Sequence, residues 1–344
     1  MDPSAITSLG PPVAAYDAAE TISARRSGSV LDQNFVCPAC MSGLHREGRG
    51  FVCAACGRTY PVVDGTAIFV DESVAEHDEL DHLGDAHAHH DLASGAHKAA
   101  QSAFFDRADL AEFEIERPFA SPALYRFLLT EKFRRSLEPF NGRLDGWTAL
   151  TVCGGSGMDA EFLSAAGASV ISSDLSLGAA GRVRQRAERH ATPVLPIVAD
   201  VEHLPFSDRS VDLVYVHDGL HHLEDPAAGI AEMARVARRA VCISEPAQAR
   251  ATSIGVRLGL ALDREEAGNR VARLQLETTT EALKAAGFRI VRADRYAMYY
   301  HHVPGRLTSV LSRRPLLPLV KLGWRLANRL FGRFGNKLTI VAVR

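Results

Sequence analysis

The chain has 344 residues, 47% of them hydrophobic, and a formal net charge of -2. This length is typical of about two domains, and the near-neutral charge disfavours a nucleic-acid-binding protein, which needs a basic surface. No apolar run approaches the roughly 18 residues of a membrane span, and residues 1–29 lack the apolar core of a secretory signal. We therefore expect a cytoplasmic chain.

The first motif is a set of four cysteines in two C-x2-C pairs with twelve residues between them: Cys37, Cys40, Cys53 and Cys56. Each pair can present two thiolates to one ion, so the spacing predicts a closed, tetrahedral structural zinc site. Disulfides are disfavoured because no secretory signal precedes the cysteines. We expect a flexible N-terminus over residues 1–30 and a zinc ribbon over residues 31–72.

The next two segments differ in pattern. Residues 73–100 carry six histidines among acids, alanines and glycines, which indicates a linker, with metal binding as the alternative. Residues 101–143 then place aromatic and apolar side chains at helical spacing. We expect helices there.

From residue 147 the chain alternates between apolar strands and helical segments. The strand at residues 147–152 leads directly into glycines at 154, 155 and 157, where a backbone passes close to a ligand and the next helix offers its N-terminus. Further strands are predicted at 168–173, 194–199 and 211–216. They end in Asp174, Asp200 and the pair His217 and Asp218. In a doubly wound fold these strand ends meet in one crevice, and Asp174 has the spacing of a carboxylate that binds ribose hydroxyls.

The stretch from residue 199 to residue 236 resembles the class I S-adenosylmethionine-dependent methyltransferases. The resemblance covers residues 144–344, with a fifth strand at 240–244, a sixth at 288–293 and a closing antiparallel strand at 337–343. It implies an α/β fold, a doubly wound, Rossmann-like sheet of seven strands. A dinucleotide-binding protein is disfavoured because the glycines do not follow G-x-G-x-x-G.

The resemblance implies a cofactor site for S-adenosylmethionine and a role for each of its residues. The glycine loop would hold the methionine portion, the acid after the second strand would bind ribose, the acid after the third would hold adenine, and His217 would flank the methyl group. The implied residues are Cys153, Gly154, Gly155, Gly157, Asp174, Leu175, Asp200, Val201 and His217.

Two positions depart from the family pattern. Thr151 stands where the family has an acid, and Cys153 stands at the first glycine. The cationic amino group of the cofactor must then be held by Thr151 through water or by Asp159 from the helix start. We interpret Cys153 as a packing residue rather than a nucleophile.

The resemblance also indicates where an acceptor would bind. Helices before the first strand cap the cofactor crevice in this family, which makes Tyr125, Arg126 and Phe127 candidates for acceptor contact, although packing explains them equally well. Residues 299–302 (YYHH) are a further candidate cluster, with an interface role as the alternative.

Candidate catalytic residues follow the fourth strand. His217 and His221 are candidate bases for an acceptor proton, with Asp218 as an orienting group. The alternative for His221 and its neighbour His222 is packing or cofactor contact, because a Leu-His-His-Leu phrase occurs across the family whatever the substrate. Methyl transfer also needs little acid–base help when the reactants are aligned.

Two further segments bear on partners. Residues 51–70 resemble the zinc ribbon of the small activator subunit of several methyltransferases. In the insertion at 304–335, cationic residues recur every four positions beside a broad apolar side, which predicts an amphipathic helix. It either packs on the sheet or contacts a membrane surface or another anionic partner. The residues are Lys321, Arg325 and Arg329 on the cationic stripe, and Leu319, Leu322, Leu326, Leu330, Trp324 and Phe331 on the apolar side.

Three functions follow from these patterns. The favoured one is methyl transfer from S-adenosylmethionine to a small-molecule or glycan acceptor, at an oxygen, with zinc in a structural role. The alternatives are an RNA methyltransferase, kept open by the basic C-terminal segment, and a cofactor-binding protein that does not methylate. A membrane-associated location is expected if the amphipathic insertion binds a bilayer.

Overall fold

The computed structural model describes residues 34–70, 94–107, 110–248 and 274–344. The predicted N-terminal segment 1–30 and most of the predicted linker lie outside the described residues. The ribbon, defined here as residues 34–70, contains four short strands: β1 (Leu44–Glu47), β2 (Gly50–Cys53), β3 (Thr59–Val63) and β4 (Thr66–Ile68).

Within the described residues, three α-helices precede the large sheet: α1 (Ser94–Asp106), α2 (Ala111–Glu116) and α3 (Ala123–Leu137). Helix α1 begins within the segment that the sequence assigns to the linker. The buried Arg186 fixes α2 against the rest of the chain, because its guanidinium donates to the backbone carbonyls of Glu114 and Ile115, each at 2.9 Å.

The remaining chain alternates strands and helices. The elements are β5 (Thr148–Val152), α4 (Met158–Ala165), β6 (Ser169–Asp174), α5 (Leu177–Arg189), β7 (Val194–Val198), β8 (Val211–His217), α6 (Pro226–Val236), β9 (Ala237–Pro246), α7 (Leu276–Ala285), β10 (Arg289–Tyr296), α8 (Arg306–Leu311), α9 (Leu316–Phe331) and β11 (Lys337–Val343).

Strands β5 to β11 confirm the predicted doubly wound sheet. Their order is β7-β6-β5-β8-β9-β11-β10, and β11 runs antiparallel to both of its neighbours. Every predicted strand is present within a few residues of its expected bounds, and the closing strand has the bounds expected from the sequence. Strands β5, β7 and β8 are almost wholly buried, which explains their largely apolar sequences.

The ribbon joins this sheet as its continuation. Strand β4 runs parallel to β7, with Ala67 paired to Ile197 and Ile68 paired to Val198. The backbone N–H of Phe69 also donates to the carbonyl of Val198 at 2.8 Å. The strands of the described ranges thus form one sheet of eleven strands that runs from the ribbon into the large domain.

Aromatic side chains fill the junction between ribbon and sheet. The ring centroid of Phe35 lies 4.7 Å from that of Phe69, 5.4 Å from that of Phe51 and 5.5 Å from that of Phe206. Phe206 belongs to the segment after β7, so the cluster joins the two parts in one hydrophobic core. The ribbon therefore has a buried interface within its own chain.

The insertion between β10 and β11 contains α8 and α9. Helix α9 contacts α3 through Leu317, Val320 and Trp324, which pack with Phe127 and its neighbours. The leucines of the predicted apolar side are instead exposed. The predicted apolar side is thus divided: its leucines face solvent, whereas Trp324 packs against α3. Among the helices described, none has both the length and the hydropathy needed to cross a bilayer.

Candidate functional site

A cleft of about 900 Å³ lies at the carboxyl ends of β5, β6, β7 and β8. It brings together almost all of the residues that the sequence assigns to the cofactor or to catalysis. Those that line it are Cys153, Gly154, Gly155, Asp159, Asp174, Leu175, Asp200, Val201, His217, Asp218, His221 and His222. Gly157 and Thr151 are not among the lining residues.

Backbone conformation explains the glycine at the start of α4. Gly157 caps the helix with φ +80°, and a Cβ there would lie 3.2 Å from Val183. Cys153 adopts φ +52° without being glycine, and a Cβ on Gly219 would approach the Cβ of Cys153 to 2.3 Å. Burial raises the pKa of the Cys153 thiol well above its usual value, which agrees with a packing role.

Asp174 fixes the shape of the glycine loop. Its carboxylate accepts the backbone N–H of Gly155 at 2.8 Å and that of Ser176 at 3.0 Å. Burial raises the pKa of Asp174, and these two hydrogen bonds act against that rise. The carboxylate therefore lies at the cleft wall, and each of its oxygens accepts one backbone N–H of the adjoining loops.

Asp159, not Thr151, offers a free acceptor to the cleft. Thr151 is fully buried and donates to the hydroxyl of Ser172 at 2.9 Å, away from the cleft lining. In Asp159, Oδ1 accepts the backbone N–H of Ala160, whereas the buried Oδ2 has no hydrogen-bond partner within the described ranges. Burial raises the pKa of Asp159 to about 7. A cationic ligand group at Oδ2 would satisfy this atom and favour its ionised form.

Helix α1 covers the far end of the cofactor side. The Lys98 ammonium lies 2.5 Å from Asp200 and 2.6 Å from Glu202. Gln101 donates to the carbonyl of His222 at 2.5 Å. The carboxylate predicted to hold adenine therefore already has a cationic partner, on a helix that the sequence did not place at the site.

Asp218 is the centre of a buried ionic cluster. Its Oδ2 lies 2.5 Å from the ammonium of the fully buried Lys132 and accepts the hydroxyl of Tyr300 at 3.1 Å, and Oδ1 accepts Lys337 at 2.9 Å. Burial works to raise the pKa of Asp218, but the two lysines outweigh it and hold the pKa well below its usual range. The charge of Asp218 is thus committed to the lysines rather than to a histidine.

His217 lies in the cleft wall beside this cluster. Its Nε2 atom is buried, has no hydrogen-bond partner among the residues that the structure describes, and lies 3.8 Å from Oδ2 of Asp218. Burial, and after it the positive charge of Lys132, lowers the pKa of His217 well below its usual value. The imidazole is therefore neutral at ordinary pH, and its protonated form is disfavoured.

His221 has a carboxylate partner instead. Its Nδ1 lies 2.8 Å from Oε2 of Glu245, and both side chains are buried. The other oxygen of Glu245 accepts the backbone N–H groups of Gly219 and Leu220 at 2.7 and 2.9 Å. This pairing orients the ring.

The second half of the cleft is lined by residues 298–302 together with groups from α2 and the segment after it. Glu114 accepts the hydroxyl of Ser156 at 2.9 Å, lies 3.0 Å from Arg117 and contacts His302. Burial opposes ionisation of Glu114, but Arg117 and His302 lower its pKa to about 2. This side of the cleft therefore carries fixed charges as well as aromatic rings.

The three candidates on α3 do not line the cleft. Tyr125 is fully buried and donates its hydroxyl to the carbonyl of His302 at 3.0 Å, which fixes the wall of the acceptor side. Phe127 packs with Trp324 at a centroid distance of 5.5 Å, and Arg126 is exposed. The surroundings of Tyr125 and Phe127 agree with the alternative of packing, whereas Arg126 faces solvent.

The four ribbon cysteines converge on one point. Their Sγ atoms all lie within 4.8 Å of one another, with Cys37 and Cys56 at 3.6 Å and Cys40 and Cys53 at 3.4 Å. Tetrahedral zinc with bonds of about 2.3 Å requires sulfur atoms roughly 3.8 Å apart, so the set fits one zinc ion.

The pKa values of two of the cysteines also fit a cation. Hydrogen bonds from Ser42 lower the pKa of Cys40 to about 6. A backbone hydrogen bond from Arg58 favours the Cys56 thiolate, but burial and the neighbouring thiols raise its pKa to about 12. Four thiolates this close ionise together only when a cation lies between them.

Comparison with known proteins identifies both parts of the chain. Residues 150–242 match the family model described as a methyltransferase domain, and residues 35–65 match the model described as a Trm112p-like protein. The chain carries a methyltransferase domain and a Trm112-like ribbon. All four cysteines fall within the ribbon match, which begins at Phe35, two residues before Cys37.

The curated relatives match about a third of the chain. A demethylmenaquinone methyltransferase of Renibacterium salmoninarum is 32% identical over 109 residues, 32% of this chain and 44% of the relative. One from Corynebacterium urealyticum is 39% identical over 99 residues, 28% of this chain and 40% of the relative. The chain thus matches less than half the length of these relatives.

Solved structures resemble the chain at low identity. One is a chain of the complex that contains the Haloferax volcanii Trm112 methyltransferase activator, with 18% identity, a TM-score of 0.47 and coverage of 71% of this chain and 96% of that chain. Another is magnesium protoporphyrin IX methyltransferase from Synechocystis PCC 6803, with 17% identity, a TM-score of 0.49 and coverage of 71% and 97%.

Several groups in the cleft were not singled out from the sequence. Glu245 ends the fifth strand at the same sheet edge as Asp174 and Asp200, and this position was the signal that would have found it. Lys132 and Lys98 lie on helices before the sheet, and nothing in their local sequence marks them. Only the tertiary fold brings these lysines to the cleft.

Proposed function

We propose that the chain transfers the methyl group of S-adenosylmethionine to an oxygen of a small-molecule or glycan acceptor. The observation that carries this proposal is the two-part cleft. One half presents the glycine loop, Asp174 and the unpartnered Oδ2 of Asp159, and the other presents Tyr300, His302 and Lys337. A cationic amino acid group and a ribose diol fit the first half, which leaves the second half for an acceptor.

Each cofactor-side residue has a distinct task in this proposal. Asp174 accepts the ribose hydroxyls. Asp159 faces the ammonium group and so replaces the acid that the family carries at the position of Thr151. Asp200 and Val201 lie at the adenine end, where the ammonium group of Lys98 pairs with the carboxylate of Asp200. S-adenosylmethionine, when bound, supplies an electrophilic methyl group.

We assign removal of the acceptor proton to His221 rather than to His217. A base must bear a positive charge after it takes the proton, and Glu245 stabilises that charge on His221, whereas Lys132 and Lys337 oppose it on His217. His217 stays neutral beside Phe133, with ring centroids 5.0 Å apart, and positions the acceptor. Asp218 holds Lys132, Lys337 and Tyr300 in place for the same purpose.

The ribbon supports the fold in this proposal and takes no part in the chemistry. Four cysteines would complete a zinc site with no open position for a substrate. The aromatic junction at Phe35 and the pairing of β4 with β7 link that site to the strand whose end carries Asp200.

The experiment that tests the function is formation of S-adenosylhomocysteine by the full chain in the presence of hydroxylated acceptors. Turnover that depends on the acceptor supports the proposal. Binding of the cofactor with no turnover on a broad acceptor set would instead favour the non-methylating alternative, and turnover with RNA alone would favour the RNA alternative.

A further inference from the structure

The outer face of α9 exposes a row of leucines. Leu319, Leu322, Leu326 and Leu330 recur at helical spacing and are 66%, 65%, 54% and 58% exposed. Phe331, the last residue of α9, and Phe334 beyond it extend the apolar surface, and Leu307 of α8 is 71% exposed. Scattered exposed leucines are ordinary on protein surfaces, but a row on one helix face marks a binding surface.

The opposite side of α9 is firmly attached to the protein. Trp324 donates its ring N–H to the carbonyl of Ala297 at 3.0 Å. The side-chain amide of Asn328 accepts the backbone N–H of Ala297 through Oδ1 at 2.7 Å and donates to its carbonyl through Nδ2 at 3.0 Å. Leu317 and Val320 pack with residues of α3. The orientation of the helix is therefore fixed by its inner side, and that orientation presents the leucines outward.

Cationic side chains flank the leucine row. On a helical wheel Arg329 borders the leucine row, and exposed Arg313, Arg314 and Arg333 lie at the ends of α9. Lys321 and Arg325 lie nearer the inner side of the helix, over the ring of Phe127, with Nη2 of Arg325 3.5 Å from Glu131. Residues 295–344 contain no aspartate or glutamate. The long stems of such side chains can lie along an apolar surface while their charges remain in a polar layer. Apolar residues bordered by cations are typical of a helix that lies in the interface of an anionic bilayer.

We propose that α9 binds the surface of an anionic membrane, with the leucine row in the acyl boundary and the arginines at the lipid phosphates. Charge complementarity decides between the candidate occupants of this face. A second copy of the chain would bring a like-charged helix against the same arginines, and RNA would leave the leucines in water. A bilayer with anionic headgroups satisfies the leucines and the arginines together.

The location of α9 connects this surface with the cleft. Residues 298–302 line the acceptor side of the cleft, and α8 begins at Arg306, four residues later. The chain therefore passes directly from the cleft wall into the membrane-facing insertion. This surface does not depend on the proposed methyl transfer, and its test needs no cofactor or acceptor.

The test is co-sedimentation of the full chain with vesicles of phosphatidylcholine alone and of phosphatidylcholine mixed with phosphatidylglycerol. We expect binding to the mixed vesicles that weakens with salt. The double variant Leu322→Gln, Leu326→Gln should bind the mixed vesicles at least about tenfold more weakly than the parent. The double variant Arg329→Gln, Arg333→Gln should lose the preference for phosphatidylglycerol. All four side chains are exposed, so both variants should keep the melting temperature of the parent.

The matched control is Val63→Gln, which replaces an apolar side chain of the ribbon that is 45% exposed and should leave vesicle binding unchanged. Equal vesicle binding by the leucine variant and the parent would overturn the proposal, as would failure of the parent to bind the mixed vesicles. A parent that is dimeric, does not sediment with vesicles and becomes monomeric in the leucine variant would assign this face to a second copy. Sedimentation with RNA that the arginine variant abolishes, without vesicle binding, would assign it to RNA.

Discussion

The carboxylate of Glu245 lies 2.8 Å from Nδ1 of His221, and the two buried side chains come from different parts of the sheet edge. Glu245 ends β9, whereas His221 lies in the short helical turn after β8. Glu245 also accepts the backbone N–H groups of Gly219 and Leu220, so it holds both the turn and the Nδ1 edge of the ring in place. We therefore favour His221, oriented by Glu245, as the base in the cleft.

His221→Ala should therefore reduce turnover by about 10²-fold while the affinity for S-adenosylmethionine stays near that of the parent. The acid limb of the pH profile should disappear, because the parent loses activity as the base becomes protonated. Steady-state kinetics across pH measures both effects. Full activity in this variant would contradict the assignment.

His217→Ala provides the comparison for His221. Since the imidazole of His217 is already neutral, its loss should mainly raise the KM for the acceptor and leave the acid limb in place. If His217→Ala instead removes the acid limb, the base is His217, and burial beside Lys132 does not prevent its protonation in the complex.

Asp159 should make cofactor binding depend on pH. The pKa of its carboxyl is about 7 in the free protein, and an ammonium group at Oδ2 favours the ionised form, so binding below that pKa must release a proton. Affinity for S-adenosylmethionine should be roughly tenfold weaker at pH 5.5 than at pH 7, a window in which the amino group of the cofactor stays protonated. Calorimetry at the two pH values measures this difference.

Asp159→Asn should abolish that pH dependence. Methylthioadenosine, which lacks the amino acid portion, should bind parent and variant equally. A pH dependence that survives in Asp159→Asn would mean that another group contacts the ammonium. The free variant should also be more stable than the parent above pH 7, by a few kcal/mol at most. The reason is that ionisation of this buried acid destabilises the folded parent as the pH rises through its raised pKa.

Zinc should be bound at one equivalent by the ribbon. Replacement of Cys37 and Cys40 by serine should remove the metal and unfold the ribbon, because its binding free energy is part of its folding free energy. Metal analysis and amide hydrogen exchange of β1 to β4 measure the two effects. A metal-free protein with an intact ribbon and four free thiols would contradict this prediction.

The junction at Phe35 should couple the ribbon to the large domain. Phe35→Ala removes a buried ring from contact with Phe69, Phe51 and Phe206, and should lower the free energy of unfolding by about 3–5 kcal/mol. The exposed Val63→Ala should change it by less than about 0.5 kcal/mol. Urea unfolding of both variants provides the measurement. An equally small effect at Phe35 would mean that the junction does not contribute to stability.

The sheet was predictable because its strands are buried on both faces. A strand such as Val194–Val198 must be apolar throughout, and parallel strands must bring their carboxyl ends to one edge, so Asp174, Asp200 and His217 could be placed together from the sequence. The ribbon cysteines were equally readable because metal geometry fixes their spacing.

The remainder depends on contacts between distant segments. Lys132 reaches Asp218 across 86 positions, and its local sequence only indicates a helix. The pairing of Ile68 with Val198 joins two strands that are far apart in the sequence, and neither local sequence indicates that the other strand is its neighbour. Amphipathic spacing predicted α9 correctly, but periodicity cannot say which side of a helix meets the protein, and the hydrogen bonds of Asn328 settle that orientation.

The most direct test of the account is calorimetric titration of the full chain with S-adenosylmethionine, alongside the variants Asp174→Asn and Asp208→Asn. Asp174 lies in the cleft, whereas Asp208 is an exposed acid outside it. Loss of a charge-assisted hydrogen bond costs about 1.5–3 kcal/mol, so Asp174→Asn should bind at least about tenfold more weakly, and Asp208→Asn should bind as the parent does. No binding by the parent, or unchanged affinity in Asp174→Asn, would contradict the assignment of this cleft to S-adenosylmethionine.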